Sequence, residues 1–116
     1  MSTSSLTPSA GAWPAAARLT ARWLEQRERV DTLLEGLPAS LSGVERARAH
    51  GLVLGVVRHH SRLEAAVRPW LARPARPITQ AVLLLAGFEL IETAGAAAEG
   101  QVAKIVHHAV EQAKRL

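Results

Sequence analysis

The chain has 116 residues and a formal net charge of +4, and 48% of its residues are hydrophobic against 21% charged. This balance is typical of one folded globular domain, and the absence of cysteine excludes disulfides, thiolate metal sites and thiol nucleophiles. The first twelve residues lack the basic start and apolar centre of a signal peptide, and no apolar run reaches about eighteen residues, so we expect a cytoplasmic protein outside membranes.

The composition of the core favours helices over strands. The chain has one Phe, no Tyr and three Trp, so its core is built mainly from Leu, Val and Ala. Strands favour β-branched and aromatic residues instead. Six helical segments and no strand are recognisable, which predicts an all-α bundle at residues 13–116 after a flexible segment at residues 1–12.

Proline and glycine mark the bounds of the first two helices. Pro14 suits the first turn of a helix that runs to about residue 28, and Trp13 is available for burial beside it. A shorter helix follows in the stretch RVDTLLEGL. Gly36 and Pro38 are stop signals that end it.

The third helix is predicted from Ser42 to about His59. Ser42 and Glu45 form the capping-box pattern at its start. Its second half is apolar on all sides, so we expect it to be the central and most buried helix. Gly51 and Gly55 each cost about 1 kcal/mol of helix propensity relative to Ala, which indicates that another helix approaches closely at both positions.

Three further helices complete the bundle. Pro69, within RLEAAVRPWLA, predicts a kink or a break near Val67. The fifth helix, ITQAVLLLAGFELIE, is apolar enough to be buried on several sides, and the small-residue linker TAGAAAEG follows it. In the sixth helix one face is predicted to be apolar and is made of Val102, Ile105, Val106, Ala109 and Val110.

Positive charge is concentrated in the first two thirds of the chain. Residues 18–76 contain 11 Arg and six acidic residues, a net charge of +5, whereas residues 77–116 carry −1. The planar guanidinium group suits phosphate better than the ammonium group of Lys does, so this excess favours nucleic acid as a partner. The alternative is a coding bias toward Arg and Ala that is unrelated to function.

Two arginine stripes are candidates for phosphate contact. Arg18 and Arg22 lie one helical turn apart, and Arg29 is roughly aligned with them. A second line would join Arg48, Gly55, His59 and Arg62 if the third helix continues past His59. The alternative for each stripe is a solvated helix face. Arg58, on a different side, also suits a structural role opposite the negative end of the helix dipole.

The five histidines do not form a recognisable metal or catalytic motif. His59 and His60 are adjacent, so on a helix they point about 100° apart. His107 or His108 could share a metal ion with Glu111, but zinc needs three or four ligands and no HExxH spacing is present. No nucleophile motif and no Gly-rich strand–turn–helix element is present either. The expectation is therefore no metal site and no catalysis by this chain alone.

The order of the central motifs resembles a known family. The segment RARAHGLVLGVVRHHSRLEAAVRPWLARP, followed after a gap by ITQAVLLLAGFELIETAG, is similar to the NusB-like helical domain. More specifically, it resembles the version at the N-terminus of bacterial ribosomal RNA (cytosine-C5) methyltransferases. Leu52 to Arg58 match the family pattern L-V-x-G-V-L-R, Arg62 to Glu64 open the next helix, and Gly87 to Leu90 stand for G-x-Y-Q-L. The resemblance covers about residues 15–116.

The resemblance implies an orthogonal bundle of about six to seven helices in two packed sub-bundles, with RNA bound by basic residues of the N-terminal region. In those methyltransferases the catalytic cysteines and the cofactor site lie downstream, so it implies no enzyme and no cofactor here. The family's last helix, of the form N-x-V-L-R, has no counterpart in the chain. Residues expected to bind RNA are Arg18, Arg22, Arg46, Arg48, Arg58 and Arg62.

Two functions follow as alternatives. The first is an RNA-binding domain for rRNA processing, which positions ribosomal RNA for a separate or downstream S-adenosylmethionine-dependent cytosine-C5 methyltransferase domain. The second is a stand-alone module for transcription antitermination or protein interaction, because NusB pairs with a ribosomal protein on antitermination RNA. Expected partners are RNA and a methyltransferase domain or another protein, with the chain a monomer or a weak homodimer.

Overall fold

The computed structural model describes residues 8–70, 75–93 and 99–116, and within these ranges the chain forms six α-helices and no strand. The prediction of an all-α bundle is confirmed. A single 3₁₀ turn, Arg68–Trp70, follows the fourth helix. The helices are α1 (Pro8–Gln26), α2 (Val30–Leu34), α3 (Gly43–Arg58), α4 (His60–Val67), α5 (Pro77–Thr93) and α6 (Glu99–Arg115).

Helix α1 begins at Pro8, earlier than the predicted start at Pro14. Pro8 takes the first helical position, where its missing N–H has no intrahelical partner to lose. Pro14 lies inside the helix, which continues because Trp13 before it and Ala16 after it are fully buried. Tertiary packing therefore offsets the backbone hydrogen bond that the proline removes.

Helices α1 and α5 are the central elements of the bundle. Helix α1 packs against α3 and α5, and α5 also packs against α3, α4 and α6. The prediction that α3 is the most buried helix is wrong, because it buries only one face: Leu54 is 37% exposed. The side chains that are fully buried in the shared core include Trp13, Leu33, Val53, Val56, Leu84 and Leu85.

The capping box at the start of α3 is confirmed. The Ser42 hydroxyl accepts from the Glu45 N–H at 3.1 Å, and the Ser42 N–H donates to the Glu45 carboxylate at 3.0 Å. These bonds satisfy two N–H groups at the helix terminus. Arg46, one residue further on, donates to the Pro38 carbonyl at 2.8 Å and holds the preceding loop against the helix.

Helices α3 and α4 cross α5 at two glycines. A Cβ atom on Gly55 would overlap the Phe88 ring, and a Cβ on Gly87 would lie 3.1 Å from Leu63 Cδ2. We call this contact, made by Gly55, Phe88, Gly87 and Leu63, the helix crossing. The predicted close approach is confirmed at Gly55 and wrong at Gly51, because nothing lies within 4 Å of a Cβ built there.

The last helices follow the sequence pattern in part. Helix α4 ends at Val67, so the predicted break before Pro69 is confirmed. In α6, Ile105 and Ala109 are buried, but Val106 and Val110 are 47% and 49% exposed. The predicted apolar face is therefore only half covered. The side chain of Val102, the remaining member of that predicted face, lies outside what the structure describes, as does most of the linker TAGAAAEG.

Helix length and hydropathy also bear on membranes. Among the described residues, no helix is long and apolar enough to cross a bilayer.

Candidate nucleic-acid interface

Three of the six candidate arginines, Arg22, Arg46 and Arg48, donate to other groups of the chain. Arg46 holds the Pro38 carbonyl, as described above. Arg48 forms an ion pair with Glu89, and the other Glu89 oxygen accepts from Trp13 Nε1 at 2.9 Å. Glu89 on α5 therefore connects α3 to α1. Because the Glu89 side chain is only 13% exposed, the Arg48 cation helps to compensate a carboxylate that is mostly buried.

The predicted stripe on α1 does not form as a single helical face. Helix α1 ends at Gln26, and Arg29 is the residue before α2, where it pairs with Asp31 at 3.4 Å. Arg22 pairs with Glu28 at 3.0 Å. Arg18 is exposed, and no hydrogen bond or ion pair engages its side chain in the described part of the chain.

The predicted line through Arg48, Gly55, His59 and Arg62 is wrong. Helix α3 ends at Arg58, and His59, with φ −104° and ψ 15°, separates it from α4. Gly55 is covered by the Phe88 ring at the helix crossing. The four residues therefore do not share one face. Arg48 is in an ion pair, Gly55 is in the core contact with Phe88, and Arg62 lies on the next helix.

A different group of cations surrounds the α3–α4 junction. The His60 ring packs edge-on against Trp23 of α1, with ring centroids 5.0 Å apart. The Arg27 guanidinium lies over the same Trp23 ring, 4.4 Å from its centroid. Arg58 and Arg62 are each two residues from His60, and both are exposed.

We call these residues the junction surface: Trp23, His60 and Arg27, which are in contact, together with Arg58 and Arg62, which are exposed and lie two residues from His60 in the chain. None of the three arginines has an ion-pair partner among the described residues. The carboxylate on α4, Glu64, is already paired with Arg68 at 3.1 Å. The junction surface therefore carries unneutralised positive charge, which is what a phosphate backbone requires.

Sequence reasoning missed Trp23 and Arg27. Their spacing of four residues was a usable signal, since residues at i and i+4 are neighbours on a helix and an arginine there can stack on a tryptophan. What the sequence could not supply was the position of His60. Only the packing of α1 beside the α3–α4 junction brings its ring to Trp23.

Three of the five histidines, His59, His60 and His108, pack against aromatic rings. His59 stacks on Phe88 with centroids 5.9 Å apart, and His108 packs edge-on against Trp13 at 5.3 Å. His60 Nε2 is buried without a hydrogen-bond partner. Burial lowers the pKa of His60 below its ordinary 6.5; Glu64 opposes this effect and Arg27 adds to it. A neutral imidazole is therefore favoured at this position.

The pairs considered for metal binding are used differently. Glu111 lies 3.4 Å from Lys114 Nζ, and His108 Nε2 lies 3.5 Å from Gln112 Nε2. Within the described ranges, no three His, Cys, Asp or Glu side chains come together as a metal-ligand group.

Two open clefts flank α3. One, of about 390 Å³, lies between α3, α5 and α6 and includes Arg48, Phe88 and Glu92. The other, of about 500 Å³, lies between α2 and α3, where Leu34, Leu37 and Leu54 make it largely apolar. Neither cleft contains the junction surface.

These features define a small all-α domain with exposed, unpaired arginines at one helix junction and no metal-ligand group among the described residues. A model of the NusB family matches residues 12–116, which is nearly the whole chain. The protein therefore belongs to the NusB family. Comparisons with curated proteins and with solved structures gave no match.

Proposed function

We propose that the chain is an RNA-binding helical domain that positions ribosomal RNA for a separate or downstream cytosine-C5 methyltransferase domain and performs no chemistry itself. The observation that carries the RNA-binding part is the set of exposed arginines without ion partners, Arg18, Arg58 and Arg62, together with membership in the NusB family. Support for the methyltransferase context is the motif order from Leu52 to Leu90.

Arginines that already have a partner in the fold are less available to RNA phosphates than arginines without one. Arg22, Arg29, Arg46 and Arg48 already donate to carboxylates or a carbonyl, so an RNA phosphate would have to displace those partners. A free exposed arginine has only water to lose. Each phosphate that it neutralises releases counterions, so binding through such residues weakens steeply as salt is added.

The test is the salt dependence of binding to a single-stranded rRNA oligonucleotide by two variants of equal net charge. The first removes the free cations, Arg18→Ala, Arg58→Ala and Arg62→Ala. The second removes three exposed cations that have ion partners, Arg29→Ala, Arg68→Ala and Lys114→Ala.

The expected result is a loss of affinity in the first variant, with a log–log salt slope shallower by about 2, since each phosphate contact on a single strand contributes about 0.7. The second variant should keep most of the affinity and most of the salt slope. Equal losses in the two variants would reduce the effect to overall charge, and an unmodified chain that binds no RNA would refute the proposal.

The second candidate function is a protein-interaction module of the kind used in transcription antitermination. Val106 and Val110 on α6 are about half exposed, and the surface of the α2–α3 cleft is largely apolar. Exposed apolar surface of this kind favours a protein partner. If Val106→Ser with Val110→Ser leaves RNA binding unchanged but abolishes association with a methyltransferase domain or a ribosomal protein, this function is supported.

A further inference from the structure

The side chain of Arg27 contacts the Trp23 ring on one side and is exposed to solvent on the other. Its guanidinium carbon lies 4.4 Å from the centroid of Trp23, so the indole covers one side of the guanidinium group. Trp23 is partly buried against the core, and the His60 ring packs edge-on against it. Arg27 itself is exposed and has no carboxylate partner in the described part of the chain.

The backbone of Arg27 is also constrained. Its φ is 54°, and it is the only non-glycine residue with positive φ among those described. The left-handed conformation costs an ordinary residue about 1 kcal/mol, and after a helix it is usually taken by glycine. The Arg27 N–H donates to the Trp23 carbonyl at 2.8 Å, which fixes the residue directly after α1. Backbone and ring together therefore hold the guanidinium group in place before any ligand binds.

Such a held guanidinium group has a second planar side available for stacking. Protein recognition of single-stranded RNA uses arginine planes and aromatic rings as surfaces on which unpaired bases stack. The contact with Trp23 restricts the arginine side chain in the free protein, so stacking a base on it costs less entropy than on an arginine without such a contact. Arg58 and Arg62, each two residues from His60 in the chain and exposed, add positive charge near the α3–α4 junction.

We propose that Arg27, supported by Trp23, is the base-stacking position of the junction surface and takes one unpaired base of the bound RNA. The inference rests on the proposed RNA-binding function and adds to it a contact with a base rather than a phosphate. It separates Arg27 from Arg18, Arg58 and Arg62, whose contribution is electrostatic.

The test compares Arg27→Lys with the unmodified chain on two ligands. One is a single-stranded oligonucleotide, and the other is the same sugar–phosphate strand without bases. Lysine keeps the charge but has no plane on which a base can stack. We expect Arg27→Lys to weaken binding of the oligonucleotide about fivefold or more, as losing one stacked base does, and to leave binding of the abasic strand within about twofold.

Two further variants control for folding and for position. Arg27→Gly removes the guanidinium group while relieving the left-handed backbone, so it should fold at least as well and lose at least as much affinity for the oligonucleotide, because it loses the charge as well as the plane. Arg29→Lys, exposed and paired with Asp31, should change neither affinity. Circular dichroism of each variant is the check that it remains helical.

The outcomes separate this inference from the function on which it rests. If Arg27→Lys weakens both ligands equally, or neither, Arg27 is not a base-stacking residue. If the unmodified chain binds both strands equally well and with strong salt dependence, RNA binding stands and stacking is refuted. If it binds neither strand, the proposed function itself fails.

Discussion

The helix crossing and the junction surface differ in what the fold does with the arginines near them. At the crossing, Phe88 and Leu63 occupy the space beside Gly55 and Gly87. The nearby Arg48 is neutralised by Glu89. At the junction surface, the arginines around Trp23 and His60 have no ion partners in the described part of the chain. The crossing therefore stabilises the bundle, whereas the junction surface leaves positive charge available to a ligand.

This difference shows that an arginine's role depends on which acidic group the fold brings to it. Arg48 and Arg58 lie on the same helix, ten residues apart. Only Arg48 meets a carboxylate from another helix. Residues equally suited to RNA by sequence thus divide into a structural and a ligand-facing group.

The largest expected effect is at the crossing, in Gly55→Ala. The new Cβ would overlap the Phe88 ring, and the buried ring has little room to move, so we expect the free energy of unfolding to fall by about 1–3 kcal/mol. Gly51→Ala is the matched control, because its Cβ meets nothing within 4 Å and should add up to about 1 kcal/mol through helix propensity. Urea unfolding measures both, and equal shifts would contradict the assignment of the crossing.

The next effect concerns the polar link beside the crossing. Glu89→Ala removes the acceptor of Trp13 Nε1 and the partner of Arg48, and we expect the free energy of unfolding to fall by about 1–3 kcal/mol. Glu92→Ala, an exposed position one turn later, is the control and should stay within about 0.5 kcal/mol. Thermal unfolding of the two variants gives the comparison. Similar melting temperatures would show that the link contributes little.

A third pair of variants contrasts the two regions directly. Arg58→Ala should reduce the salt slope of RNA binding by about 0.7 and leave the melting temperature nearly unchanged, because it removes one phosphate contact and no ion pair. Arg48→Ala should do the reverse, with a stability loss of about 1 kcal/mol and an unchanged slope. Binding titrations at several salt concentrations measure the slope for each variant. The division fails if Arg48→Ala alone flattens the slope.

The smallest effect is the pH dependence from His60. Burial lowers its pKa, so the unfolded chain takes up the proton more readily, and stability falls as the pH drops below about 6.5 toward the lowered pKa. His60→Phe keeps a ring against Trp23 and removes the titrating group. Its melting temperature should therefore decrease less than that of the unmodified chain between about pH 7.5 and pH 5. Identical decreases would assign the pH dependence to other groups.

Much of the fold was predictable because its signals are local. The capping box at Ser42, the break before Pro69 and the apolar run of α5 all depend on residues within a few positions of one another. The start of α1 was misplaced, since Pro14 is a local signal that burial of the neighbouring Trp13 overrides.

The candidate site was less predictable, because its composition depends on contacts between helices. Arg58 and Arg62 were identified from the sequence as candidates, and both are exposed at the junction. The two assumed stripes failed because α1 and α3 end earlier than a continuous helical projection requires. The spacing of Trp23 and Arg27 was a local signal, but the left-handed backbone of Arg27 just past the end of α1 and the contact of Trp23 with His60 became visible only in the structure.

The sequence by itself determined the fold class, the family motifs and the excess of arginine in the first two thirds of the chain. Periodicity, caps and prolines act over a few residues, so no tertiary information is needed to read them. Only the tertiary structure decided which arginines are neutralised, which glycine is covered by a side chain from another helix and which ring lies under Arg27. Each of those outcomes depends on a contact between residues far apart in the chain, such as Arg48 with Glu89 or His60 with Trp23.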